Sequence, residues 1–98
     1  MIVRIVRMTF KEDHVADFLK FFDNVSFKIR RMDGCHHLEL MKDTRDPNSF
    51  ITYSLWEDDE KLDKYRKSEE FGEIWAETKE FFSEKPVAFS MKRYLTVE

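Results

Sequence analysis

His36 and His37 stand side by side, with Cys35 before them and Glu39 two residues beyond. Side chains alternate between faces along a strand, so adjacent histidines point apart and cannot share one metal ion. Cys35 and His37 would fall on one face, about 6.6 Å apart. Zinc needs two or more further ligands, and the one other histidine, His14, lies in a separate segment. No metal site is expected, and Cys35 reads as a small buried apolar side chain. His37 and Glu39 make a better pair, since a carboxylate beside an imidazole fixes its tautomer and raises its basicity. If their face lines a cavity, His37 is a candidate base for a phenol or enol, with Glu39 beside it. Otherwise the two are a polar pair at a strand edge or a dimer seam.

Trp56, Tyr65 and Trp75 form a second candidate set. Together they could wall a flat cavity for an aromatic ring, with the Tyr O–H and Trp N–H orienting it. The same residues at helical spacing also read as core. The acidic run Glu57, Asp58, Asp59 and Glu60 suits a helix N-terminus, where negative charge is favourable. Arg4 and Arg7 fall on opposite faces of one strand, so one could meet an anionic ligand, although a carboxylate partner is the simpler expectation.

The elements that must position these groups follow from periodicity. Residues 2–10 are rich in Ile and Val and read as a strand. From His14 onward Val15, Phe18, Phe22, Val25, Ile29 and Met32 recur at three or four, which predicts a helix. Asp13 is its expected N-cap, and Gly34 its expected left-handed stop. Residues 35–42 form a second strand, with Cys35, His37, Glu39 and Met41 expected on one face. After the turn-forming Asp43-Thr44-Arg45-Asp46-Pro47-Asn48, residues 50–56 return as a third strand in a hairpin. A helical region then carries Leu62, Tyr65, Phe71, Ile74 and Trp75, with a break or kink suggested by Ser68 and Gly72. Pro86 ends it, and 87–97 is expected to be a long final strand.

The order β-α-β-β-α-β predicts a ferredoxin-like α+β plait, an antiparallel sheet with its helices on one face, in one domain spanning 1–98. The other face would still carry Val3, Ile5, Ile51, Tyr53, Leu55 and a row from 87–97. An apolar face must be covered, so a homodimer packed sheet to sheet is expected.

Composition narrows the classes. The 98 residues include ten Phe, three Tyr and two Trp but only two Gly and two Pro, which excludes a disordered chain. A net charge of −3 lacks the basic excess of a nucleic-acid binder. No apolar run approaches the ~20 residues of a membrane span. One cysteine allows no internal disulfide, and the arginines of the first seven residues suit no signal peptide, so a cytoplasmic address is expected.

Gly34-Cys35-His36-His37-Leu38-Glu39-Leu40, Asp46-Pro47-Asn48-Ser49-Phe50 and Trp56-Glu57-Asp58 resemble the antibiotic biosynthesis monooxygenase family. Residues 62–65, Ser68-Glu69-Glu70-Phe71 and 91–97 extend the resemblance over nearly the whole chain. It implies a dimeric α+β barrel and a cavity lined by Trp56. Thr52 stands where polyketide-oxidising members carry Asn, and Leu62 where they carry Tyr. In the haem-degrading branch the matching positions look like Val6, Tyr65 and Trp75, without the axial histidine, so no haem or other cofactor is expected. Members resembling quinol oxidases often carry His at the position of Tyr65. The implied activity is cofactor-independent oxidation of a small electron-rich aromatic or quinol by dioxygen. His37 and Tyr65 are the candidate catalytic residues, and Thr52, Trp56, Trp75 and Glu39 the candidate substrate contacts. The alternatives are a small-molecule isomerase or tautomerase, and a non-catalytic, stress-related protein that binds a small hydrophobic ligand.

Overall fold

The computed structural model describes residues 1–98. Strands β1 (Ile2–Thr9), β2 (Cys35–Lys42), β3 (Ser49–Trp56) and β4 (Val87–Lys92) form one sheet in the order β2-β3-β1-β4. Every neighbouring pair is antiparallel. Helices α1 (Val15–Arg30), α2 (Asp59–Arg66) and α3 (Glu69–Thr78) complete the ferredoxin-like α+β fold. No helix is long and apolar enough to cross a membrane.

The sheet register sorts side chains into two faces. Ile2, Arg4, Val6 and Met8 of β1 sit opposite Trp56, Ser54, Thr52 and Phe50 of β3, and this row faces the helices. Ile2 and Trp56 pack with Ile29, Leu62 and Tyr65 in one cluster, and Met8 and Phe50 pack with Phe10 and Phe18 in a second. Val3, Ile5 and Arg7 point the other way, beside Leu55, Tyr53 and Ile51. The second helical region is broken as expected. Ser68 caps α3 by accepting from the Phe71 N–H at 3.1 Å, whereas Gly72 lies inside the helix.

Four expectations need correction. Asp13 is not the N-cap: it lies in a 3₁₀ turn, Glu12–His14, and His14 occupies the cap position without a side-chain bond to the helix. Gly34 is left-handed, with φ 88°, but it does not stop α1, whose cap is Arg31. Its role is to turn the chain into β2. Cys35 and His37 do not share a face, because a bulge leaves Cys35 opposite Trp56 and His37 opposite Leu55. One extra residue, His36, reverses the alternation there. Finally, β4 ends at Lys92, whose partner Ile2 is the first residue of β1, so the residues after it have no strand to pair with.

Gly34 offers a stability test. A Cβ there would run into Lys61 Cβ and lie 2.6 Å from Lys61 Cγ. These atoms sit at the root of a side chain whose Nζ is held by Asp33 at 2.7 Å. A left-handed non-glycine residue costs ~1–2 kcal/mol, and overpacking adds to this. Gly34→Ala should lower stability by about 2–3 kcal/mol in urea denaturation. A loss below about 0.5 kcal/mol, the level of an ordinary surface substitution, would refute this account.

Candidate functional site: a cavity between sheet and helices

Between the inner face of the sheet and the helices lies a cavity of about 340 Å³. Val6, Thr52, Ser54 and Ala88 give its floor, and Phe18 and Phe22 of α1 one wall. The opposite wall is a run of aromatic rings. Trp56 stacks on Tyr65 with centroids 4.9 Å apart, Tyr65 meets Phe71 edge-on at 5.1 Å, and Phe71 lies parallel to Trp75 at 6.0 Å. Of the eighteen lining residues thirteen are hydrophobic and only Arg4 and Arg66 are charged, so the lining is chiefly apolar and aromatic, as in cavities suited to flat apolar groups.

Thr52, Trp56, Tyr65 and Trp75 are thus brought together in one cavity. Trp56 is the back of the wall, 1% exposed, and its indole N–H donates to Ser54 Oγ at 3.0 Å. It can offer a ligand a flat surface but no free donor. Tyr65 sits nearer the cavity. Burial pushes its phenol well above the ordinary tyrosine value, so at neutral pH it stays protonated and can donate a hydrogen bond but cannot take a proton.

His37 and Glu39 do form the expected pair, with Nε2 and Oε2 2.8 Å apart. They lie on the other side of the sheet, where His37 meets the Tyr53 ring edge-on at 6.0 Å. The expectation that His37 and Glu39 serve a ligand in the cavity is therefore corrected. They lie on β2, an edge strand of the sheet.

The two arginines of β1 separate as their spacing required. Arg7 pairs with Asp43 at 3.3 Å, whereas Arg4 turns inward and its Nη1 donates to Ser90 Oγ at 3.1 Å. Partial burial, then repulsion from Arg66, lowers the pKa of the Arg4 guanidinium, with Asp63 acting in the opposite direction. Arg66 is the charged cavity residue that the sequence reading overlooks. It sits four residues after the buried Leu62 and beside the buried Tyr65, on a helix otherwise too polar for that spacing to single it out.

The chain is thus a ferredoxin-like α+β protein with an aromatic-walled cavity between its antiparallel sheet and its helices. Residues 1–77 match the family described as antibiotic biosynthesis monooxygenase, and the chain belongs to that family. A solved antibiotic biosynthesis monooxygenase superposes with a TM-score of 0.88 at 20% identity, covering 97% of this chain and 100% of that one. A conserved protein from Methanosarcina mazei Go1 gives 0.88 at 18% identity, covering 96% and 94%. Identities this low speak for the fold alone. A curated Natronomonas pharaonis protein, named as a candidate heme-binding protein, is 31% identical over 78 residues. That match takes in 80% of this chain but 13% of the relative's length.

Haem does not fit the donors present. No histidine lines the cavity: His14 pairs with Asp17 at 3.1 Å, His36 is exposed in the bulge, and His37 is on the far side of the sheet. Cys35 is buried in the core, and desolvation raises its thiol pKa. Tyr65 resists forming the phenolate that tyrosine ligation of iron uses. Met8, the sulfur donor along the cavity, would lack the histidine that accompanies methionine in cytochromes c.

Proposed function

We propose that this chain is a cofactor-independent oxygenase that binds a small electron-rich hydroxyaromatic in the cavity and oxidises it with dioxygen. The observation that supports this reading is the convergence of Thr52, Trp56, Tyr65 and Trp75 on one apolar cavity of about 340 Å³. The substrate carries its own reducing power. A ring C–H and the phenolic O–H are lost, one oxygen atom enters the ring as a second carbonyl, and the other leaves as water. All four electrons come from the ring, so no external reductant is required. Thr52 and Tyr65 supply polar groups that can orient the ring oxygen, and the aromatic wall holds the ring flat.

Oxygen uptake against a panel of quinols and dihydroxyaromatics tests the reading, with Thr52→Phe as the comparison. Thr52 faces the cavity, so phenylalanine there should fill the floor with little strain elsewhere. Saturable uptake that falls at least tenfold in Thr52→Phe, with circular dichroism unchanged, is the expected outcome. Unsaturable uptake, or uptake indifferent to the plug, would sink the oxygenase reading.

A non-catalytic ligand-binding role is the second reading. It is favoured by a lining with no carboxylate or imidazole. Its signature is a tryptophan fluorescence change on ligand addition without oxygen consumption. The isomerase reading needs a base that takes a proton and returns it, and the cavity lining supplies none.

The proposed protein is also a homodimer packed through the open sheet face. Val3, Ile5, Tyr53 and Leu55 lie in register with the exposed Phe89 and Met91 of β4. Beyond β4, Tyr94, Leu95 and Val97 are exposed as well. An apolar surface of this kind calls for a partner, and a second copy supplies a matching one.

A further inference from the structure

We infer that Arg4 and Arg66 form a seat for the anionic oxygen of an aromatic ligand whose ring occupies the cavity. The ligand class is then an aromatic carboxylate or phenolate rather than a neutral hydrocarbon. This rests on the cavity being the ligand site, as proposed above, and narrows what that site accepts.

The argument begins with position. Arg4 comes from the sheet and Arg66 from α2, yet both line one cavity and are its only charged residues. Neither is closely neutralised. Elsewhere Arg7 reaches Asp43 at 3.3 Å and Lys61 reaches Asp33 at 2.7 Å. Arg66, by contrast, stands 3.9 Å from Asp63, whose side chain is 59% exposed. Arg4 spends one donor on the neutral Ser90 hydroxyl at 3.1 Å, and a guanidinium has five.

Burial is the main cause that lowers the Arg4 pKa, and the two cations also sense each other, since repulsion from Arg66 lowers it further and the single carboxylate Asp63 acts the other way. An anion between them would convert that repulsion into two attractions, through the charge-assisted, forked hydrogen bonds that guanidinium makes with carboxylate. The apolar lining strengthens those bonds, because water screens them less. With no base in the lining, the same pair gives the proposed oxidation its means of favouring a phenolate. Positive charge beside a phenol lowers its pKa, and the electron-rich phenolate yields an electron to dioxygen more readily.

Isothermal titration calorimetry with three probes tests the seat: 2-naphthoate, 4-nitrophenolate at pH 8, and the neutral 2-naphthalenemethanol. The wild type should bind at least one anion tenfold or more tightly than the neutral probe, with an affinity that falls as sodium chloride is raised. Whichever anion binds tells carboxylate from phenolate. In Arg4→Gln/Arg66→Gln the preference should shrink to threefold or less. Arg66→Gln alone, on a helix surface, keeps the test open if the double variant does not fold, and should lose about half of the preference on a logarithmic scale. Equal affinity for anion and neutral probe in the wild type overturns the seat and leaves the cavity as a ligand site. A preference untouched by the substitutions overturns it as well. Failure of all three probes to bind overturns both the seat and the cavity reading.

Discussion

Trp56→Ala is expected to remove about 3–5 kcal/mol of folding stability, the range for deleting a large buried aromatic. The indole is 1% exposed and packs among Ile2, Ile29, Leu62 and Tyr65. Three losses coincide in the variant. The apolar transfer energy goes, Tyr65 loses the ring stacked 4.9 Å from it, and Ser54 Oγ loses the N–H that donates to it at 3.0 Å. A domain of this length has roughly 5–15 kcal/mol in total, so the variant should stand near the edge of unfolding. Trp75 is only partly buried, and Trp75→Ala should cost at least about 1 kcal/mol less, because less apolar area returns to water. Parallel urea denaturation curves measure both. Equal losses would mean that Trp56 is a surface of the cavity rather than the beam behind it. For the same reason, lost activity in Trp56→Ala says little about chemistry, and a cavity-filling change at Thr52 is the cleaner probe.

How much of this was legible in the sequence depended on whether a local pattern carried it. β1 announced itself through its richness in Ile and Val, and α1 through apolar spacing of three and four. The break before α3 was visible because serine is a good N-cap. The bulge at His36 was not, since no glycine or proline marks it. One inserted residue nevertheless decided the chemistry: it put Cys35 under the helices and carried His37 and Glu39 to the far face. The length of β4 was equally hidden, because a strand lasts only while it has a partner, and the partner is set by where β1 begins pairing at Ile2. At the site, the aromatic wall could be read from residue types and resemblance. Arg66 could not, because α2 is polar around most of its circumference and buries only Leu62 and Tyr65. A charged residue on such a helix looks like every other solvated one until the cavity is seen.

The open face makes the second large prediction. Phe89 lies across from Ile5, which in turn lies across from Tyr53, so it belongs to the middle row of the proposed seam. It is 43% exposed in the protomer, and Phe89→Glu should change protomer stability by no more than about 0.5 kcal/mol. In a sheet-to-sheet dimer the same change would bury an unpaired carboxylate where an aromatic contact had been. Truncating such anchors costs 2 kcal/mol or more, which is about a 30-fold or greater rise in the dimer dissociation constant. Analytical ultracentrifugation should find a dimer for the wild type and a largely monomeric Phe89→Glu over the same micromolar range. A monomeric wild type, or a dimer indifferent to this substitution, would leave the face without its proposed partner. Ligand binding adds a sharper condition. Val6 and Thr52 line the cavity, while their sequence neighbours Ile5 and Tyr53 face the seam, because successive side chains on a strand take opposite faces. Phe89→Glu should therefore separate the protomers and still bind the cavity's ligand, unless the partner copy completes the site.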